Sequence, residues 1–190
     1  KNGVLISGNI YFYIFKIKFI LKVLLEILND YKENFCNKMC CIETAYKEME
    51  FINIYFSKTD LHHLLGFHKV LPGNATKTIN DIENGNLTIK HIKKHQNYGM
   101  IKTRIDNYNF IHDVFYKNNV ELCIVEKDIN SNTMDLNLII YKKKGYEVIV
   151  LGLKKNYKND IYYLATLHKT YENKYKDTRK TKIKNIKWLD

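Results

Sequence analysis

Phe51–Val70 reads FINIYFSKTDLHHLLGFHKV. Its first residues are apolar and partly alternating (Phe51, Ile52, Ile54, Tyr55, Phe56), as in a half-buried strand. Ser57-Lys58-Thr59-Asp60 breaks that run, and an apolar helical pattern holding three histidines and a glycine follows. A strand feeding a helix is expected. Ser57 or Thr59 would be its N-cap, with Asp60 favourable in the first turn. Imidazoles at the start of a helix, just after a strand, lie where a cleft can use them.

On a wheel turning about 100° per residue, Leu61, Leu64, Leu65 and His68 cluster together. That arrangement makes His68 a hydrogen-bonded core histidine. His62 then falls on the polar side with Gly66 and Lys69, and His63 at the boundary beside Phe67. An unperturbed imidazole titrates at about 6.5, so both protonation states are accessible to a boundary histidine. His63 is therefore the first candidate for a general base or acid.

Upstream, Ile20–Phe35 carries Leu21, Leu24, Leu25 and Leu28 on one helical face. Asn37–Met49 reads as a second helical piece. Val4–Phe15 is apolar, but Lys16, Lys18 and Lys22 interrupt it short of the ~20 residues a membrane span needs. No basic leader or small-residue cleavage site marks a signal peptide. Ile10–Ile20 alternates in part and suits a strand or an apron on the core.

Downstream, Pro72 and Gly73-Asn74 break the chain, and a short helix ending at Glu83 is stopped by Gly85. Thr88 can cap a basic helix, Ile89–Gln96. Tyr98–Phe115 is the clearest helix, with Ile101, Ile105, Tyr108, His112 and Phe115 on one stripe. Period-two or short apolar runs then take over at Glu121–Glu126, Met134–Tyr141, Glu147–Leu153 and Asp160–Thr166, separated by hairpin-type turns. Ile183, Ile186, Trp188 and Leu189 suggest a last strand. The resulting fold class is α+β, N-terminal helices packed on a C-terminal antiparallel sheet of about four strands. Residues 1–48 would be an apolar segment and helices, and 49–190 the main domain, continuous with 20–48 as one globule.

The 190 residues hold 31 Lys and Arg against 20 Asp and Glu, a formal charge of +11. That excess draws polyanions, and nucleic acid is the leading partner class. Cys36, Cys40, Cys41 and Cys123 lack the paired spacing of a zinc site, so no metal is expected. Reduced thiols fit a reducing compartment, the cytoplasm. His91 and His95 are four apart, yet without the glutamate of a metalloprotease helix they read as a solvated basic face.

Only two arginines occur, Arg104 and Arg179. A planar guanidinium fork suits bidentate phosphate contacts, and an internal ion pair is the competing reading for Arg104. Arg179 lies in Tyr171–Lys182, where tyrosines alternate with Lys174, Lys176 and Lys180, a mixture that suits base stacking plus backbone contact.

Three motifs together resemble a known family. They are Phe56-x6-His63-Leu64-Leu65-Gly66-Phe67-His68, then Asp81-Ile82-x2-Gly85-x-Leu87-Thr88, then Arg104-Ile105-x2-Tyr108. The chain resembles, from about Ile20 to Lys187, the phage-associated barnase–EndoU–colicin–RelE-like nuclease domains. Tyr175-x3-Arg179 resembles that family's closing Tyr-x3-Gln. Leu65 stands where the family has threonine, and Arg179 where it has glutamine. The resemblance implies a metal-independent endoribonuclease without cofactor, attacking phosphate with the substrate's own 2′-hydroxyl. It further implies a phage or mobile-element toxin, with an antitoxin or inhibitor protein as partner. His63, Arg104, Tyr175 and His68 are the catalytic candidates, with His168 a lesser one. Lys93, Lys94, Arg179 and Lys180 would bind RNA. The alternative is a non-catalytic basic module that binds nucleic acid or a nuclease, such as a phage-encoded inhibitor.

Overall fold

The computed structural model describes residues 23–189, so the expectations for the first 22 residues lie outside it. Helix α1 spans 23–34 and buries Leu24, Leu28 and Tyr31, at steps of four and three, against the core. Strands β1 (Met39–Thr44) and β2 (Phe51–Tyr55) follow as an antiparallel pair. A helical block comes next: α2 (Asp60–Leu64), α3 (Ala75–Glu83), α4 (Ile89–Ile92), α5 (Tyr98–Asp106) and α6 (Phe110–Phe115). Strands β3 (Leu122–Val125), β4 (Leu138–Lys144), β5 (Glu147–Asn156), β6 (Ile161–Tyr171) and β7 (Thr181–Leu189) complete the chain.

The sheet corrects the four-strand expectation. Seven strands close on themselves in the order β1-β2-β6-β5-β4-β3-β7. Every neighbouring pair is antiparallel except β2 and β6, which are parallel and meet at one pair, Ile54 and Tyr162. Beyond the four expected runs, the last strand β7 and the strand expected at Phe51–Phe56 (β2) join the same sheet, and β1 forms where a helix is expected. Within residues 37–49, expected to be helical, Met39–Thr44 instead alternates in burial, and only Lys47–Met49 forms a short 3-10 helix. Cys40, Ile42 and Thr44 face the core, and Met39, Cys41 and Glu43 are only half-buried. The Cys36-x3-Cys40 spacing mimics a helix there, but the period-two set pairs with both β2 and β7.

One face of the sheet meets the helices in the larger core, and the opposite face carries a smaller cluster. Strand β4 shows the division: Leu138 and Ile140 join the first, Ile139 and Tyr141 the second. On β5, Ile149, Leu151 and Leu153 alternate in the same way with Val148 and Val150. Both faces are covered, which explains why these strands read as nearly unbroken apolar runs.

The stripe expected over Tyr98–Phe115 is present but in two helices. Asn107 caps α5 and turns its side-chain amide to the Thr103 carbonyl (2.7 Å), competing with helix continuation. Tyr108 and His112 then reach the same carboxylate oxygen of Asp30 on α1, at 2.6 and 2.7 Å. Among the described residues, no helix is long and apolar enough to cross a membrane.

Candidate active site

Ser57-Lys58-Thr59-Asp60 sets the position of α2. Asp60 is buried, and its carboxylate accepts hydrogen bonds from the backbone N–H groups of Ser57 (3.0 Å) and Leu164, so the start of α2 is tied to β6. Burial pushes the Asp60 carboxyl up to about 7 despite those two donors. Helix α2 ends within five residues, and Gly66 adopts a left-handed conformation (φ 73°) before a 3-10 turn over Phe67–Lys69. The wheel cannot be carried through Gly66. His68 therefore emerges on the exposed side next to His63, while His62 is 2% exposed. This reverses the expected burial of His62 and His68.

His63 and His68, with ring centroids 5.7 Å apart, line a cleft of about 410 Å³. Its other walls are Lys69, Arg104, Met134, Leu136, Lys154, Tyr163, Ala165 and Thr166. Helix α5 supplies Arg104, which is buried. Its Nη1 donates to the carbonyls of His63 (3.2 Å) and Leu64 (3.0 Å) at the end of α2, and to the Thr166 hydroxyl (3.3 Å) on β6. The internal ion pair considered for this residue is not formed. Among the described residues Arg104 has no carboxylate partner, and its Nε and Nη2 have no protein acceptor. Burial without a counter-charge lowers it to about 10, so it stays charged at neutral pH. The space it occupies exists because residue 66 has no side chain: a Cβ there would stand 2.9 Å from Arg104 Nε.

Strands β5 and β6 make the opposite wall. Their ladder slips between Gly152/Thr166 and Leu153/Leu164, leaving Ala165 as an extra residue on β6. The bulge changes which side chains face the core. Tyr162 and Leu164 lie in the larger core before it and Leu167 after it, so Tyr163, Ala165 and Thr166 all reach the cleft. Gly152 lets Leu136 approach, since a Cβ there would fall 2.6 Å from that side chain.

Among the described residues, no Asp or Glu lines the cleft. Burial, then the neighbouring cations, hold the imidazoles below their ordinary range: His63 feels Lys154, and His68 feels His63, Arg104 and Lys69. Burial, then His63 and His68, bring His62 down to about 4. These histidines are neutral at pH 7 and accept protons. His62, His63 and His68 also present nitrogens within 4.8 Å of one another. Tetrahedral zinc at about 2.0 Å from each nitrogen needs them roughly 3.4 Å apart. Lys69, Arg104 and Lys154 are the triad's charged neighbours in the cleft. The arrangement suits an anion better than a dication.

Residues 23–190 match the model of the family described as phage-Barnase-EndoU-ColicinE5/D-RelE like nuclease 4. The chain belongs to that family. Comparison with curated proteins and with solved structures finds no match. Leu65, where the family resemblance calls for threonine, is wholly buried in the larger core, so the exchange takes no hydroxyl from the cleft. In this nuclease-like domain the cleft gathers His63, His68 and Arg104. Tyr175 does not join them: it is 3% exposed and stacks on Tyr141 in the smaller cluster. His168 lines a recess next to the cleft with Lys69, Arg104 and Met134, and burial followed by Arg104 brings it down to about 4.

Lys93, Lys94, Arg179 and Lys180 do not line the cleft. Arg179 lies over the Tyr46 ring (6.0 Å) in a separate hollow, and Lys180 Nζ donates to the carbonyls of Lys176 and Thr178. His91 closes a capping box with Thr88, and His95 lies beyond the end of α4. Sequence reasoning missed Lys69, Lys154, Tyr163 and Thr166. The signal available for the last three was their place on strand faces opposite core leucines, and the bulge at Ala165 obscures it.

Proposed function

We propose that this domain is a metal-independent endoribonuclease acting at the His63–Arg104 cleft. One observation carries the reading: a buried guanidinium without a carboxylate faces a cleft shared with two exposed imidazoles. An anion is what such a site lacks, and phosphate matches the guanidinium fork. Neutral His63 takes the proton from the 2′-hydroxyl as O2′ attacks phosphorus. Protonated His68 gives a proton to the 5′-oxygen as the P–O5′ bond breaks, leaving a 2′,3′-cyclic phosphate. Arg104 stabilises the charge on the phosphorane oxygens. Lys69 and Lys154 hold flanking phosphates, and the more distant Lys93, Lys94, Arg179 and Lys180 add long-range attraction. A toxin role in a phage or mobile element, restrained by an antitoxin, is the setting in which such an activity would be used.

The test is incubation of purified protein with mixed RNA in EDTA. Cleavage to 2′,3′-cyclic ends is expected, with DNA of the same sequence left intact. His63→Ala and His68→Ala should each lower kcat about 10²–10⁴-fold. Because both pKa values are depressed in the free enzyme, kcat/KM should peak below pH 6.5: the acid limb needs His63 deprotonated, and the alkaline limb needs His68 still protonated. Intact RNA, with binding unchanged in His63→Ala, would establish the non-catalytic basic module instead.

A further inference from the structure

We propose that Tyr163 and Lys154 form a base-and-phosphate subsite, so that the cleft admits one unstacked nucleotide of single-stranded RNA. This rests on the ribonuclease reading and narrows its substrate. The cleft draws its chemistry from two sources. The histidines, Lys69 and Arg104 come from the helical block, while Met134 and Leu136 before β4, and Tyr163 and Ala165 on β6, supply apolar lining. Tyr163 is 37% exposed, and among the described residues its hydroxyl has no hydrogen-bond partner and its ring no aromatic or cation–π partner. Ala165, the bulged residue, keeps the strand's side chains short beside the ring.

Lys154 is directly opposite Tyr163 in the β5–β6 ladder, and directly opposed side chains stand about 4.5–5.5 Å apart at Cβ. Lys154 also has no carboxylate or hydrogen-bond partner among the described residues, unlike Lys155, which pairs with Asp160. An aromatic face with an uncommitted cation beside it matches one base and its phosphate. In a duplex the faces of the bases are already stacked, and a volume of about 410 Å³ takes a nucleotide and not a helix.

The experiment measures binding of an uncleavable 2′-O-methyl oligonucleotide by fluorescence anisotropy, single-stranded and as a duplex. Cleavage of unmodified RNA is followed in parallel. The single strand should bind at least tenfold tighter than the duplex. Tyr163→Ala should weaken single-strand binding about tenfold, with Tyr163→Phe within about twofold of wild type. Both are exposed-site exchanges whose folding is checked by circular dichroism. Equal affinity for duplex and single strand, or Tyr163→Ala binding within twofold of wild type, overturns the subsite even if RNA is cleaved. Tyr163-dependent binding without cleavage overturns the ribonuclease reading and leaves the subsite standing. No binding to either oligonucleotide overturns the subsite.

Discussion

The cleft differs from much of the remaining surface in how positive charge is held. Away from the cleft, several lysines have carboxylates within reach: Lys77 with Asp81, Lys102 with Asp106, Lys117 with Asp113, Lys169 with Glu147, and Lys32 and Lys58 with Glu83. Such exposed pairs add little stability, because solvent screens them and holding two long side chains in one geometry costs entropy. Around the cleft, Arg104 is buried without an acid, and Lys69 and Lys154 have no ion pair among the described residues. An excess of +11 is therefore less informative than its placement. Cations left unpaired in a concave site form a field that a polyanion can use, whereas paired ones largely cancel.

The most direct way to break this contrast is Arg104→Lys. It keeps a charge but loses the fork, and kcat on RNA should fall about 10²–10³-fold. A melting temperature close to wild type would separate chemistry from folding; unchanged kcat would remove Arg104 from the mechanism. Gly66→Ala acts on the same arginine indirectly. Left-handed backbone costs a residue with a Cβ about 1–2 kcal/mol, or roughly 3–6 °C in Tm. The new methyl would also press on the Arg104 guanidinium, so activity should fall with stability. The smallest effect, and the sharpest comparison, is between adjacent lysines. Lys154→Gln should reduce the log–log salt slope of RNA binding by about 0.7, one phosphate contact. Lys155→Gln should leave the slope unchanged, because Asp160 already neutralises that charge. Equal effects would erase the distinction between paired and unpaired cations.

Local patterns were legible in the sequence where periodicity runs uninterrupted. Leu24 and Leu28 announce α1, and the short apolar runs at β4 and β5 announce strands. Legibility failed where one residue resets the period. Gly66 ends the wheel that assigned His62 and His68 their faces, and Ala165 shifts the alternation that would have placed Tyr163 and Thr166. Cys36, Cys40 and Cys41 offered a helical spacing that sheet pairing overrode. His63 and Arg104 could be singled out by residue type, but 41 positions separate them. Their meeting depends on α5 packing across the end of α2, which no local pattern encodes.

The parallel joint between β2 and β6 has a thermodynamic consequence. It is laddered at one pair, and the cleft straddles it: the segment following β2 carries His63 and His68, while β6 carries Tyr163 and Thr166. Where backbone pairing runs out, Asp60 and Arg104 supply the cross-links through Leu164 and Thr166. A nucleotide bound as proposed would touch both banks of the joint, so its binding and the pairing of β2 with β6 would be linked equilibria. At a concentration 100 times its Kd such a ligand adds about 2.7 kcal/mol to the closed form. On the proposed function, substrate would act as a removable rivet on the seam that the backbone leaves almost unsewn.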